Sequence, residues 1–131
     1  MISWFERHNK LSWLITVLIA VIIFYISSIV FGPGVGGRSN IYAILYHILA
    51  FFFFAFFLMI SLVKGKKKEI FILFAVFVAI AYGISDEVHQ FFVPGRYSSV
   101  FDVFLNSVGI LFAFMIYLIN IEYRGRKFKN K

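Results

Sequence analysis

The sequence predicts an all-α integral membrane protein, a bundle of four transmembrane helices with both termini cytoplasmic. Three observations predict it. The 131-residue chain is 62% hydrophobic and 21% aromatic, with nineteen phenylalanines, which excludes an ordinary soluble domain. It contains four long uncharged apolar runs, where a helix needs roughly 20 apolar residues to cross a hydrocarbon core about 30 Å thick. Its basic residues cluster between those runs in a pattern with one side. The length allows a single domain over residues 1–131.

The first helix is predicted over about residues 11–31, since Leu11 to Phe31 carries no charge. Arg7 and Lys10 precede it, as they would a signal peptide. The apolar run exceeds the usual signal core of roughly 7–15 residues, and no small-x-small cleavage pattern follows. A retained helix is therefore expected. Next comes Gly32-Pro33-Gly34-Val35-Gly36-Gly37-Arg38, which satisfies G-x-G-x-x-G by letter. No strand precedes it and a membrane helix follows, so it reads as an interhelical turn rather than a nucleotide-binding unit. Its backbone N–H groups beside Arg38 can still cradle an anionic headgroup.

The second helix is predicted over 41–63 and the third over 69–92. His47 enters helix two roughly 9 Å deep at 1.5 Å per residue. The run Phe51 to Phe57 has one alanine and no polar group, and reads as lipid-facing or bundle-packing surface. Helix three starts at Glu69 and carries Asp86 roughly 25 Å along its axis. Pro94 and Gly95 end it, because proline cannot continue a helix and glycine allows the turn. The fourth helix is predicted over 100–121. Ser98 or Ser99 can cap it, and Ser99-Val-Phe-Asp102 fits a capping box. Gly109 and Ala113 give the small-xxx-small spacing that permits close helix approach.

Eleven of the thirteen basic residues precede helix one, separate helices two and three, or follow helix four. An even number of spans puts these segments on one side, which the positive-inside rule makes cytoplasmic. The net charge of +7 therefore points to a membrane rather than to nucleic acid. The basic tail suits anionic lipid headgroups, or is a plain solvated charge run. The absence of cysteine excludes disulfides and thiolate metal sites.

One stretch breaks the apolar pattern. Asp86, Glu87, His89, Gln90, Arg96, Asp102 and Asn106 fall within twenty-one residues. Ionisable groups at a bilayer edge are costly to keep and call for a partner or a function. Asp86, His89 and Gln90 share a helical face by i, i+3 and i+4, and so do Asp102 and Asn106. The short Pro-Gly turn makes helices three and four antiparallel neighbours, and His47 lies at the depth of Asn106. Each residue has a structural alternative. Asp102 can be a helix cap, Arg96 can pair with Glu87 or Asp102, His89 can hold Asp86, and Asn106 can tie two helices together.

Chemically, a histidine beside carboxylates can act as a general acid or base, with Glu87, His89, Asp86 and Asp102 as candidates. Arg96 offers a fork suited to phosphate or carboxylate, with Gln90, Asn106 and His47 as further binding groups. His47, His89, Asp86, Glu87 and Asp102 carry atoms that can ligate a divalent metal. There is no His-Glu-x-x-His motif, Asp-Glu-x-His is not a zinc signature, and no metal or cofactor is assigned.

The run DEVHQFFVPGR, then five residues, then Asp102-x-x-x-Asn106-x-x-Gly109, resembles the VanZ-like family of small bacterial membrane proteins. His47 matches the family's histidine early in its second helix, and Ala113 stands where the family often has a second glycine. The resemblance runs from helix two to helix four; helix one matches only in kind. It implies a bacterial inner-membrane protein and, through the founding member, a link to low-level teicoplanin resistance. It carries over no catalytic residue. The partners it suggests, besides the bilayer, are a lipid-linked cell-wall intermediate or a glycopeptide antibiotic. The alternative is a membrane hydrolase or transferase acting on a lipid headgroup, with or without a metal. Transport fits least: four short helices leave little room in one protomer, so it needs a homodimer, and the charges sit at one face rather than the midplane.

Overall fold

The computed structural model describes residues 2–30, 41–64 and 69–129, with side chains to residue 127. All regular secondary structure in that range is helical. A short α1 (Ile2–Arg7) leads into α2 (Asn9–Ser27), followed by α3 (Ile41–Val63), α4 (Glu69–Phe92) and α5 (Val100–Lys129). The last four are long and apolar enough to cross a membrane. The glycine-rich segment Gly32–Arg38, Lys66 to Lys68 and the end of the basic tail lie outside the described residues.

The helices run up, down, up and down. Thr16 of α2 meets Ser61 near the end of α3 at 3.4 Å between hydroxyl oxygens, so these two are antiparallel. Tyr82 of α4 donates its hydroxyl to the Ala20 carbonyl of α2 at 2.7 Å, and Ser27 reaches Asp86 farther along both, so α2 and α4 are parallel. Helix α3 packs against each of the others. Its closest neighbour is α5, and Gly109 explains the approach. A Cβ at that position would collide with the Ile48 carbonyl oxygen and lie 3.0 Å from the Phe52 nitrogen. Only a residue without a side chain lets the two backbones touch. Ala113, one turn on, is fully buried in the core of the bundle. Between helices in lipid there is little hydrophobic drive, so such close packing and a few polar ties carry the association.

The distribution of polarity is inverted relative to a soluble protein. Large apolar side chains such as Phe74, Phe77, Leu111 and Met115 face outward. Ser12, Thr16, Ser27, His47, Asp86, Glu87, Gln90 and Asn106 are buried. This is the arrangement a hydrocarbon solvent selects.

Two helix limits differ from the sequence expectation of 11–31 and 100–121. Helix α2 begins at Asn9, after a break at His8, and ends at Ser27. Hydroxyls terminate it: Ser28 Oγ donates to the Phe24 carbonyl at 2.8 Å, and the Ser28 N–H also reaches the last turn. Helix α5 continues two turns past Ile121. The added turns are tethered, because Arg124 donates to Glu6 of α1 through Nη1 at 2.6 Å and Nη2 at 2.9 Å. Basic residues also suit a helix C-terminus, where the helix dipole is negative.

Candidate functional site

The turn between α4 and α5 fixes the geometry of the polar end of the bundle. Val93 N–H and Arg96 N–H close tight turns onto the Gln90 and Val93 carbonyls, each at 3.1 Å. Gly95 takes φ +86, where side chains are strained, and a Cβ there would press on Val30 at 3.2 Å. Ser99 then caps α5, its Oγ accepting the Phe101 N–H at 3.2 Å. In a capping box, Asp102 would return to the Ser99 N–H. Here Glu87 of the preceding helix takes that place: its Oε2 accepts the Ser99 N–H at 3.0 Å. Asp102 is thereby released from capping, and its carboxylate makes no hydrogen bond or ion pair among the described residues.

Gln90 is the hub of the cluster. Its Nε2 donates to Asp86 Oδ2 at 3.0 Å and to Glu87 Oε1 at 3.1 Å. Its Oε1 accepts from Arg96 Nη2 at 3.0 Å. Arg96 Nη1 donates to the Ile29 carbonyl at 3.1 Å, so the guanidinium ties the turn to the end of α2. These contacts with Gln90 and Ile29 stand where the sequence reading offered a pair with Glu87 or Asp102. Ser27 Oγ donates to Asp86 Oδ1 at 2.6 Å.

His47 and Asn106 meet as their matched depths predict, with Nδ1 and Oδ1 2.9 Å apart. The amide oxygen can only accept, so Nδ1 of His47 is the donor, and in the neutral ring this tautomer leaves the lone pair on Nε2. Gly83 packs beside this pair: a Cβ there would crowd the Phe51 ring at 3.2 Å and touch Asn106 at 3.4 Å. His47 Nε2 makes no hydrogen bond among the described residues. Ligand atoms of His47, Glu87 and Asp102 lie within 4.8 Å of one another, so these three residues from three helices can hold a metal ion.

His89 departs from the sequence reading. It does not bond Asp86. Its ring stacks on Phe24 with centroids 4.4 Å apart, and its Nε2 lies 2.9 Å from Ser28 Oγ. The Ser28 hydroxyl hydrogen is used on Phe24, so His89 is the donor. The reason is angular. At 3.6 residues per turn, Glu87 and His89 point roughly 160° apart, with Asp86 and Gln90 between them. Glu87 therefore faces α5 and His89 faces α2.

Beside the cluster, a groove of about 330 Å³ opens on the outer surface between α4 and α5. Phe91, Phe92, Val100 and Val103 make its walls apolar, and Glu87 and Ser99 bring the polar cluster to its edge.

Sequence reasoning missed three contributors. Ser27 and Ser28 supply hydroxyls from α2, and isolated serines in an apolar run give no signal of their own. Glu6 lies beside basic residues in the sequence, a position that suits a surface charge. It is buried, accepting from Tyr117 Oη at 3.0 Å as well as from Arg124. The available signal was the seven-residue spacing of Tyr117 and Arg124, which puts both on one face of α5.

The fold and the cluster together define a multi-pass helical membrane protein with ionisable groups gathered at one end of its bundle. The sequence pattern of the VanZ/LLP1 family matches residues 3–121, and the chain belongs to that family. The match includes α1 and α2, which the motif resemblance had left aside. No curated protein and no solved structure shows significant similarity to the chain.

Proposed function

We propose that this VanZ/LLP1 protein resides in the bacterial inner membrane with cytoplasmic termini, and that its polar cluster opens to the outer leaflet to bind an envelope amphiphile. The ligand class is a molecule with an anionic head and an acyl chain: an envelope lipid, a lipid-linked cell-wall intermediate, or a glycolipopeptide such as teicoplanin. Arg96 grips the phosphate or carboxylate. Asp86, Glu87 and Gln90 orient Arg96 and hydrogen-bond the head, and the groove takes the chain. One observation carries this reading. The apolar groove and the polar cluster share Glu87 and Ser99, so an amphiphile can occupy both at once. Orientation rests on the basic segments and the positive-inside rule.

The test is complementation in a teicoplanin-resistance assay. Arg96→Lys and Glu87→Gln, inserted at wild-type levels, are expected to lose resistance. Full resistance in both would reject the site. A second reading, a hydrolase or transferase acting on a lipid headgroup, is favoured by the convergence of His47, Glu87 and Asp102. Turnover of polyprenyl-phosphate substrates by purified protein would support it; none under any metal would remove it.

A further inference from the structure

We infer that His47, Glu87 and Asp102 form a binding site for one divalent transition-metal ion, with Zn²⁺ the best match. The inference deepens the proposed function, since it concerns the same pocket. Four observations carry it.

The first is convergence. The residues come from α3, α4 and α5, and one ligand atom from each lies within 4.8 Å of the others. Ligands at about 2.0–2.1 Å around a tetrahedral ion sit roughly 3.3 Å apart, so a contraction of at most about 1.5 Å closes the set.

The second is orientation by neighbours. Asn106 holds His47 by Nδ1 and leaves Nε2 as the ligating nitrogen. Gln90 and the Ser99 N–H each occupy one lone pair of a different Glu87 oxygen. Every carboxylate oxygen has a second lone pair for a metal. Such outer contacts are what fix metal ligands in place.

The third is Asp102. It sits where a capping box would use it, yet Glu87 has taken its donor, and its carboxylate has no partner among the described residues. A half-buried carboxylate at the edge of an apolar bundle is costly without one. Nearby, the Asn106 Nδ2 and Tyr46 Oη atoms are shielded from solvent and also lack partners there. As hydrogen donors, these buried orphans suit a water held on the ion rather than the ion itself.

The fourth is charge. Asp86, Glu87 and Asp102 crowd one end of the bundle, with Arg96 as the guanidinium bonded into the cluster. A divalent ion offsets the excess of carboxylates and gives an anionic headgroup something to bind.

Donor chemistry selects the ion. One imidazole and two carboxylates without sulfur suit Zn²⁺. Mg²⁺ prefers six oxygens in a near-ideal octahedron. Three protein ligands leave a position for water or a ligand oxygen.

The experiment uses full-length protein in nanodiscs. It is stripped with chelator, reloaded with Zn²⁺ or Co²⁺ and desalted. About one ion per chain is expected by elemental analysis, and Co²⁺ should give visible bands of a four- or five-coordinate nitrogen–oxygen site. Asp102→Asn and Glu87→Gln should bind at least tenfold more weakly, while Asn106→Ala, through His47, should lose about 10–100-fold. Glu69→Gln, distant on α4, should match wild type. Asp102 is the least buried ligand, so Asp102→Asn reports even if Glu87→Gln misfolds. Wild-type protein that retains no ion, or Asp102→Asn that binds like wild type, would overturn the site. Zinc-free protein that still captures lipid through Arg96 would overturn the metal site alone and leave the amphiphile reading standing.

Discussion

The carboxylate of Glu87 accepts the backbone N–H of Ser99 at 3.0 Å, so a side chain of one transmembrane helix caps the next. This contact ties α4 to the start of α5 across the Pro94–Gly95 turn and leaves the Asp102 carboxylate out of the cap.

Removing that cap has a defined cost. Glu87→Ala leaves the Ser99 N–H and one Gln90 donor unsatisfied in a buried setting, at about 1–3 kcal/mol each. The expected result is a Tm several degrees lower in detergent, measured by thermal unfolding. Glu87→Gln keeps an acceptor for Ser99 and should recover part of the loss.

Gly109 is irreplaceable for a steric reason. A Cβ there strikes the backbone of α3, not the tip of a flexible side chain, so the helices must separate. Gly109→Val is expected to abolish monodisperse protein on size-exclusion chromatography. Ala113→Gly removes only one buried methyl group and should cost about 1 kcal/mol.

The terminal latch couples the two ends of the chain. Glu6 is buried and depends on Arg124 and Tyr117 for its hydrogen bonds. Arg124→Ala strands a carboxylate and is expected to cost about 3 kcal/mol or more. Pairing it with Glu6→Gln should return most of that stability, because the uncompensated charge is gone. A double-mutant cycle on Tm measures the coupling, and purely additive losses would show that the pair does not interact.

Orientation is open to chemical labelling, since the chain has no native cysteine. Tyr97→Cys, on the exposed α4–α5 turn, should react with an impermeant maleimide on intact cells. Lys127→Cys should react only after permeabilisation. The reverse pattern would invert the topology.

Much of this architecture was legible in the sequence because lipid imposes simple rules. Uncharged length gave the spans, Pro94–Gly95 gave the turn, and matched depths brought His47 to Asn106. What stayed hidden depended on helix rotation and on partners far away in the chain. His89 satisfies the i, i+3 rule with Asp86, yet Phe24 and Ser28 of α2 draw it to the other side. Glu6 has an ordinary position beside basic residues, and its burial depends on Arg124, 118 positions later. Asp102 fitted a local capping rule that Glu87 overrides from another helix.

The central claim is that the cluster and its groove bind one amphiphile. It is tested most directly by photo-crosslinking in cells, with a photoreactive phenylalanine analogue at Phe92 in the groove and, as a control, at Phe74 on another outward-facing surface. Position 92 is expected to capture one anionic lipid species well above its share of the membrane, Arg96→Lys to abolish this enrichment, and position 74 to sample bulk lipid. The same bulk composition at both positions would contradict it.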